Sequence, residues 1–333
     1  MSADGKAGAL LVGAGNIGAL YDIDSGPDTG PLTHLSALTR SSQVGWIDVV
    51  EADPARTQLL AKNPKVRRCV QSLEQLTTDP RDYRIACVAT PSDSHFAVLR
   101  DLNDATVKIS HVLCEKPLFS VSTEFLAQVS AVRQMRFPVT VNYPRTWSTD
   151  NTGLMNLAAQ LGLGAYTSGV ATYGKGLKNN GSHMINLLLN LFGGIPEITY
   201  VGRHHTDDLD HDPTVSFGLI LNDHEIAVTP TSSKSFSLFE LDLRFERGRI
   251  VLKDGGRTIE YHTPIADPDY PGYRILGHHM TRPTDLGGSM QAAIDSVIAS
   301  PDSINLEQAI VTADTYFQVE AEFNQSRSFG IHV

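Results

Sequence analysis

The sequence predicts an α/β protein with two domains, the first built on a doubly wound parallel sheet and the second on an open, mostly antiparallel sheet. Three observations predict this fold class. The chain has 333 residues, which is the length of about two typical domains. A glycine-rich turn follows the first apolar run directly, and further apolar runs then alternate with helical patterns. Later in the chain, strands of alternating hydrophobicity are joined by glycine-containing turns.

The composition is that of an ordinary globular protein, with 41% hydrophobic and 19% charged residues. The net charge of −10 argues against a general affinity for nucleic acid or acidic membranes. No apolar run reaches the roughly 18 residues that a membrane span needs, so we expect no membrane partner. Cys69, Cys87 and Cys114 form no C-x-x-C pair, and two of them lie in apolar runs, which predicts buried thiols and a cytoplasmic protein.

The first chemical motif is the turn Gly-Ala-Gly-Asn-Ile-Gly at residues 13–18, directly after the apolar run 9–12. The first glycine permits a tight turn, the second lets the backbone approach a pyrophosphate, and the third allows close helix–strand packing. This context predicts a Rossmann dinucleotide-binding domain, and the alternative is a turn without a ligand. The predicted cofactor residues of the turn are Gly13, Gly15, Asn16, Ile17 and Gly18.

An acidic residue is expected at the carboxyl end of the second strand, which we place within residues 45–53. Glu51 would accept hydrogen bonds from the adenosine ribose, and its charge would repel a 2′-phosphate, which favours NAD over NADP. Asp53 is the other candidate. The spacing is long, because Glu51 lies 38 positions after Gly13 and the motif expects an acid after about 20 more residues. NADP therefore stays an alternative.

An insertion explains this spacing. Residues 21–33 contain Gly-Pro pairs and cannot continue a regular helix. We expect them to form a loop beside the phosphate site before the helix resumes at His34. A lid over the cofactor and a tolerated surface loop are both open interpretations.

Two more apolar runs, at 84–90 and 109–117, are each followed by a helical pattern, which indicates βαβ units. Ligands bind such sheets beyond the carboxyl ends of the strands. The predicted cofactor residues at these ends are Thr90, Pro91, His95, Glu115 and Lys116.

Lys116 is an unusual residue, because it ends a buried strand between Glu115 and Pro117. The proline biases the lysine towards an extended backbone, which helps to fix the direction of its side chain. A neighbouring carboxylate stabilises the ammonium, whereas burial opposes it. The residues alone are also consistent with a structural ion pair.

His183 lies between a loop rich in Gly, Asn and Lys and the apolar run 184–192. It could take part in acid–base chemistry, or it could be a polar residue at the start of a buried helix. Taken alone, the fragment favours the second interpretation, because most helix-start histidines have no catalytic role.

Five segments, in order, resemble the Gfo/Idh/MocA oxidoreductases (glucose-fructose oxidoreductase, inositol dehydrogenase and rhizopine catabolism). They lie in roughly the first 190 residues, and the Glu-Lys-Pro about 25 residues after Thr-Pro is the most specific. They are GAGNIG at 13–18, TPSDSH at 90–95, CEKP at 114–117, VNYPRTW at 141–147 and NNGSHMIN at 179–186.

The resemblance implies a Rossmann domain at residues 1–120 and a domain for substrate binding and oligomerisation at 121–333, with the nicotinamide between them. It implies that Lys116 matches the family's active-site lysine and His183 its acid–base histidine. Many members have aspartates where this chain has Asn179 and Asn186. This difference puts a lysine–aspartate–histidine relay in doubt, and Tyr143 and Tyr173 are further candidates for a proton donor.

The second domain offers polar residues for a substrate. Arg145, Lys175 and Lys178 could hold an anion such as a phosphate, although a solvated basic loop is the simpler interpretation. Residues 202–213 contain three histidines and four aspartates without the spacing of a metal site, so we expect a solvated loop and no metal. The predicted substrate residues are Asn142, Tyr143, Arg145, Lys178, Asn179 and His183.

Residues 238–264 read as antiparallel strands with turns at 247–248 and 254–256. Leu241, Leu243 and Phe245 share one face by their spacing of two. In the family such a sheet often forms a dimer face, so the resemblance implies a homodimer or homotetramer.

The sequence thus predicts an NAD(P)-dependent oxidoreductase that moves a hydride between a nicotinamide and a hydroxyl or carbonyl carbon of a sugar, cyclitol or nucleotide sugar. The alternative is a redox-inactive sensor that binds the cofactor on the same fold.

Overall fold

Two β-sheets organise the protein, and each belongs to its own structural unit. The computed structural model describes residues 7–24, 30–76, 82–206, 209 and 211–328. The first unit comprises Met1–Pro144 and Gly287–Ile310, and the second comprises Arg145–Leu286 and Val311–Val333.

The sheet of the first unit has seven parallel strands in the order β3-β2-β1-β4-β6-β7, with the short β5 paired to β4. This order confirms the predicted doubly wound parallel sheet. The central strand β1 is almost completely buried, as expected for an apolar strand covered on both faces. The strands are β1 (Ala7–Val12), β2 (Val44–Val50), β3 (Val66–Val70), β4 (Asp82–Val88), β5 (Lys108–Ile109), β6 (Val112–Glu115) and β7 (Val139–Asn142).

Five helices accompany this sheet. Each of α1 to α4 follows the strands in the alternating pattern that the sequence predicts, whereas α8 returns from the far end of the chain to pack on α1, β4 and β6. The helices are α1 (His34–Arg40), α2 (Pro54–Leu60), α3 (His95–Asp104), α4 (Phe125–Arg133) and α8 (Ser289–Ala299).

The boundary between the units differs from the expected division at residue 120. Strand β7 pairs in parallel with β6, with Glu115 opposite Asn142, so the residues up to Pro144 belong to the first sheet. The alternating pattern of residues 137–147 correctly predicts a strand, but it does not reveal which sheet the strand joins.

The predicted resumption of the first helix at His34 is confirmed in detail. The N–H of His34 donates to the carbonyl of Ile17 (3.1 Å), and the N–H of Leu35 donates to the carbonyl of Gly18 (2.9 Å). In an uninterrupted helix those carbonyls would accept from the N–H groups of residues 21 and 22, so His34 and Leu35 take the hydrogen-bonding positions that residues 21 and 22 would otherwise occupy.

The base of this loop is closed by Asp22, whose carboxylate accepts from the Thr33 hydroxyl and the Leu32 N–H, both at 2.6 Å. Residues 25–29 lie outside the described residues. The two interpretations of residues 21–33, a lid over the cofactor and a surface loop, therefore both stay open.

The second unit has eight strands in the order β15-β14-β13-β12-β8-β11-β10-β9. Among the described strands of this sheet only β8 and β11 are parallel neighbours, which confirms a mostly antiparallel sheet. The strands are β8 (Tyr166–Tyr173), β9 (Glu197–Thr206), β10 (Thr214–Leu221), β11 (His224–Pro230), β12 (Phe239–Phe245), β13 (Gly248–Lys253), β14 (Thr258–Ala266) and β15 (Arg274–Pro283).

The buried face of β12 carries Leu241, Leu243 and Phe245, as the spacing of two predicts. Nearly every residue of α7 is also buried, in accordance with its apolar sequence. The helices of this unit are α5 (Thr149–Thr152), α6 (Leu154–Gln160), α7 (Ser182–Phe192) and α9 (Leu306–Ser328), the last from Val311 onwards. None of the described helices is long and apolar enough to cross a membrane.

Candidate functional site

The glycine turn after β1 has the geometry of a phosphate cradle. Gly13 adopts φ +85°, a conformation that side chains rarely tolerate. A Cβ on Gly18 would lie 2.4 Å from the carbonyl oxygen of Gly13, so only glycine allows this close packing. By contrast, a Cβ on Gly15 would meet no described atom within 4 Å. The turn therefore leaves open space where a pyrophosphate would approach the backbone, and it fits a dinucleotide.

Glu51 is the acid beside this turn. Its Oε2 accepts from the N–H of Ala14 at 2.7 Å, and its Oε1 accepts from the N–H of Asp53 at 2.9 Å. Asp53 has a different role, because its side chain caps α2 by accepting from the N–H of Ala55. Ribose binding by Glu51 stays a prediction, and Glu51 is placed for it next to the glycine turn.

The residues after β4 connect two strand ends. The ring nitrogens of His95 lie 2.8 Å from the Thr90 carbonyl oxygen and 2.9 Å from that of Pro117. The ring is buried, at 1% exposure. The polar atoms of the His95 ring bind the protein backbone, and the expected contact of His95 and Thr90 with the cofactor stays a prediction. Pro91 adds no side-chain donor, and the Ser94 hydroxyl binds the Thr90 hydroxyl at 2.9 Å.

Lys116 follows a buried polar group at the end of β6. Glu115 Oε1 lies 2.8 Å from Nε2 of His34 and accepts from the side-chain amide of Asn142 at 2.7 Å. His34, Asn142 and Glu115 are 0%, 1% and 7% exposed. Sequence reasoning placed His34 only at the helix restart and did not connect it with Glu115.

Charges determine the protonation of this group. Burial raises the pKa of Glu115, but the hydrogen bond and charge of His34, the amide of Asn142 and the charge of Lys116 outweigh it, so the pKa lies below its usual value. Burial lowers the pKa of His34, whereas its neighbours Cys87 and Glu115 raise it, to about 10. The charges and hydrogen bonds of the pair therefore favour an imidazolium beside a carboxylate.

Asn142 and Tyr143 were expected at a polar strand end of the second domain. Both belong to the first unit instead, because β7 pairs with β6. Tyr143 is 2% exposed. The Asn142 amide supports the residue that precedes Lys116, which does not require a direct contact with a substrate.

His183 is the second residue of α7 and is 7% exposed. A short π-helix, Gly176–Gly181, leads into α7. Helix starts leave their first N–H groups without partners inside the helix. Here the segment 212–214 supplies hydrogen-bond acceptors for these N–H groups. The N–H groups of Gly176 and Leu177 donate to the Thr214 hydroxyl (2.8 Å) and the Pro213 carbonyl (3.1 Å).

Asp212 completes this cap. Its two carboxylate oxygens accept from the N–H groups of Lys178 (2.8 Å) and Asn179 (2.9 Å). Gly176 has φ +87°, and a Cβ there would lie 2.1 Å from Oδ2 of Asp212. The expectation of a solvated loop at 202–213 is thus wrong for two parts, because residues up to Thr206 form β9 and Asp212 caps the segment before His183.

The two asparagines at the family's aspartate positions differ in environment. Asn179 is exposed, and its N–H binds Asp212. Asn186 is 1% exposed, accepts from the Thr146 hydroxyl at 2.9 Å and donates to the Thr312 hydroxyl at 3.3 Å. The buried amide therefore belongs to an uncharged hydrogen-bond network.

Two of the three predicted anion-binding cations, Arg145 and Lys178, already have partners. Arg145 donates twice to the Gly255 carbonyl, at 2.6 and 3.1 Å, and its guanidinium lies 3.5 Å from the ring centroid of Phe239. Burial and then the charge of Arg257 lower the pKa of Arg145 to about 9. Lys178 forms an ion pair with Glu320 at 2.7 Å.

Tyr173 is excluded as a proton donor to a substrate, because its hydroxyl is bound on both sides by the backbone of Val215. It donates to the carbonyl at 2.8 Å and accepts from the N–H at 2.9 Å. Burial also raises the pKa of Tyr173 far above its usual value. Lys175 is exposed. Within the described part of the chain, no three His, Cys, Asp or Glu side chains form a group that could hold a metal ion.

A comparison with models of known protein families also indicates a dinucleotide-binding fold. Residues 8–143 match the model of the Gfo/Idh/MocA oxidoreductase family, described as having an NAD-binding Rossmann fold. No curated protein sequence matches the chain.

Solved structures resemble nearly the whole chain. One is UDP-N-acetylglucosamine 3-dehydrogenase from Acidithiobacillus ferrooxidans, with 17% identity, 95% of this chain and 97% of that chain covered, and a TM-score of 0.65. A 3-ketoreductase from Actinomadura kijaniata, solved with NADP, has 13% identity, covers 95% and 97%, and has a TM-score of 0.70. Levoglucosan dehydrogenase with NADH and levoglucosan has 15% identity, covers 96% and 98%, and has a TM-score of 0.69. At these identities the shared property is the fold.

Proposed function

We propose that the protein is an NAD-dependent oxidoreductase of the Gfo/Idh/MocA family, whose model residues 8–143 match, and that it acts on a hydroxyl or carbonyl carbon of a sugar or cyclitol. The observation that carries the proposal is Lys116, which directly follows a buried carboxylate at the carboxyl end of β6 in the same sheet as the glycine cradle. Ligands of such sheets bind beyond these strand ends.

The proposed chemistry divides the work between two side chains. Bound NAD supplies a hydride acceptor or donor at its nicotinamide. Lys116 binds the reacting oxygen of the substrate and stabilises the negative charge that develops there. His183 accepts the hydroxyl proton in oxidation and returns it in reduction. We propose that Lys116 and His183 act on the same substrate molecule.

NAD is the proposed cofactor, with NADP as the alternative. Glu51 supports NAD, since a carboxylate beside the turn would repel a 2′-phosphate. Arg56 lies 3.6 Å from the same carboxylate, and its charge would reduce this repulsion. Binding of NADH and NADPH, measured separately by nucleotide fluorescence, distinguishes the two cofactors.

An uncharged substrate is favoured over a phosphorylated one. Arg145 is used by a backbone carbonyl and an aromatic ring, and Lys178 is paired with Glu320. An anionic substrate would have to compete with these partners. Levoglucosan, the sugar bound to one structural neighbour, is itself uncharged. We therefore expect a free sugar or cyclitol to react faster than its phosphate ester in a paired assay at 340 nm.

The decisive test replaces Lys116 with methionine. The variant should bind NADH with unchanged affinity but lose turnover on every substrate that the natural protein oxidises or reduces. Lys108→Met is the matched control, because Lys108 is an exposed lysine of the same sheet. Near-normal rates in Lys116→Met would remove this mechanism. His183→Asn should also lower turnover, by about a hundredfold or more.

The second candidate function is a redox-inactive sensor that binds the nucleotide. The observation that favours it is that asparagines occupy both positions where many family members have aspartates. Absence of any absorbance change at 340 nm across a broad panel of sugars, cyclitols and nucleotide sugars, together with intact NADH binding, would favour the sensor.

We also propose a homodimer or homotetramer formed through the second sheet. Its last strand, β15, exposes apolar side chains, with Ile275, Leu276 and Met280 at 43%, 46% and 44% exposure. Sedimentation of the natural protein against Leu276→Lys tests this, because a charge at the interface should shift the population towards monomers. The free buried thiols Cys87 and Cys114 suit the cytoplasm, which is the location we propose.

A further inference from the structure

The most unusual polar group outside the proposed reaction chemistry is the buried pair His34–Glu115. The two residues are 81 positions apart in the sequence, and their closest side-chain atoms are 2.8 Å apart. The Asn142 amide binds the same carboxylate oxygen at 2.7 Å. All three side chains are at least nine-tenths buried.

We propose that His34 is a positioning residue for Lys116: by holding Glu115 it fixes the end of β6, and thereby the place and surroundings of the lysine. This inference rests on the proposed function, in which Lys116 contacts the reacting oxygen. His34 itself is not assigned any contact with substrate or cofactor.

Contacts on both sides of Lys116 support this role. On one side, Glu115 is bound by His34 and Asn142. On the other side, the carbonyl oxygen of Pro117 lies 2.9 Å from the buried ring of His95. The lysine thus lies between two residues that are each bound by a buried histidine, which restricts the backbone from which its side chain extends.

The backbone of His34 reaches the nucleotide cradle. Its N–H donates to the carbonyl of Ile17, within the glycine turn. A side chain and a backbone group of a single residue therefore connect the turn that would hold the pyrophosphate with the strand end that carries Lys116. The insertion at residues 21–33 does not separate the turn from the strand end, since α1 begins at His34 itself.

Stability alone is a weak explanation for this arrangement. A buried ion pair costs desolvation of both charges, and well-packed apolar residues in its place are often neutral or stabilising. What a carboxylate with two partners provides is a defined orientation, and Glu115 is covalently joined to the lysine whose orientation matters for the reaction.

The test compares two substitutions of His34 with a matched control. His34→Leu removes the interaction with Glu115, whereas His34→Gln keeps a donor without the charge. The control is His111→Leu, which removes another buried histidine of the same unit, at 1% exposure. His111 immediately precedes β6, at the end opposite Glu115, and its ring lies 2.8 Å from the Thr140 hydroxyl.

The readout that does not depend on turnover is the Lys116 side chain itself. Protein labelled with ¹³C at lysine Cε gives signals for nine lysines, and loss of one signal in Lys116→Arg identifies residue 116. In His34→Leu we expect the pH midpoint of this signal to move by about half a unit or more. The movement should be smaller in His34→Gln and absent in His111→Leu.

Turnover with an accepted sugar should fall about tenfold or more in His34→Leu, with NADH affinity retained and partial recovery in His34→Gln. An unmoved Lys116 signal in His34→Leu overturns the proposal, as does an equal movement in His111→Leu. If the natural protein turns over no substrate, the proposed function fails, while the lysine signal still decides whether His34 positions Lys116. If His34→Leu does not fold, His34→Gln against His111→Gln gives the same comparison.

Discussion

Removing Asp212 should loosen the segment that leads to His183. In Asp212→Ala the N–H groups of Lys178 and Asn179 lose the carboxylate oxygens that they bind at 2.8 and 2.9 Å. The N–H groups of Gly176 and Leu177 keep their partners, because those are the Thr214 hydroxyl and the Pro213 carbonyl. The substitution therefore opens half of the cap and leaves the other half as an internal reference.

The magnitude follows from two opposing contributions. Hydrogen bonds to a charged group contribute about 1.5–3 kcal/mol each, so two of them stabilise by roughly 3–6 kcal/mol. Burial, the largest influence on this carboxyl, raises the pKa of Asp212 above its usual value despite the two N–H groups, so holding the charge there has a cost. The net loss on substitution should lie at the lower end, about 2–3 kcal/mol. Asp212→Asn, which keeps one acceptor oxygen, should lose about half of that.

Two measurements check this prediction. Urea unfolding gives the change in the free energy of unfolding, and amide hydrogen exchange reports the individual N–H groups. The amides of Lys178 and Asn179 should exchange faster in Asp212→Ala, whereas that of Leu177 should change little. Asp314→Ala is the control, because it removes an exposed aspartate of the same unit whose side chain binds only Gln318 among the described residues. Unchanged protection at residues 178 and 179 would refute the cap.

Three further predictions concern the cradle, the buried ion pair and the uncharged network. Gly15→Ala should fold normally but bind NADH more weakly, which nucleotide fluorescence measures. Gly18→Ala should lower the free energy of unfolding by about 1–3 kcal/mol in urea, because its Cβ would meet the Gly13 carbonyl. The raised pKa of His34 adds stability that is complete below pH 6.5, the ordinary pKa of histidine, and that is lost as the pH rises towards about 10. The lowered pKa of Glu115 adds stability that is lost as the pH falls below 4.5, the ordinary pKa of glutamate. Stability measured across pH should therefore decline on the alkaline side in the natural protein and less so in His34→Gln. Asn186→Asp should cost about 1–3 kcal/mol in urea unfolding, because it places a carboxyl in a fully buried network whose Thr312 contact needs a donor.

The features that could be predicted from the sequence are those that depend on neighbouring residues. The glycines of residues 13–18 are required by the local backbone and by one close contact, so the cradle is visible in the motif. The buried parallel strands are visible as apolar runs, and the face of β12 is visible as alternation. The restart of the helix at His34 follows from the end of the Gly-Pro region.

The features that could not be predicted depend on partners far apart in the chain. His34 and Glu115 are 81 positions apart, and Asn179 and Asp212 are 33 positions apart. No local pattern of hydrophobicity encodes such a contact. The alternation in residues 139–142 likewise reveals a strand but not its neighbour, since a parallel strand obtains its partner from the order of the whole sheet.

The hydrogen bonds at the start of α1 explain the long spacing between the glycine turn and Glu51. Glu51 follows Gly18 by 33 positions, which is too long for the dinucleotide motif. The hydrogen bonds from His34 to Ile17 and from Leu35 to Gly18 show that His34 and Leu35 occupy the positions that residues 21 and 22 would take in an uninterrupted helix. Without these 13 residues Glu51 follows Gly18 by 20 positions, which is the spacing that the motif expects. This spacing supports the prediction that Glu51 is the acid of the motif, and its hydrogen bond to the N–H of Ala14 places its carboxylate next to the glycine turn.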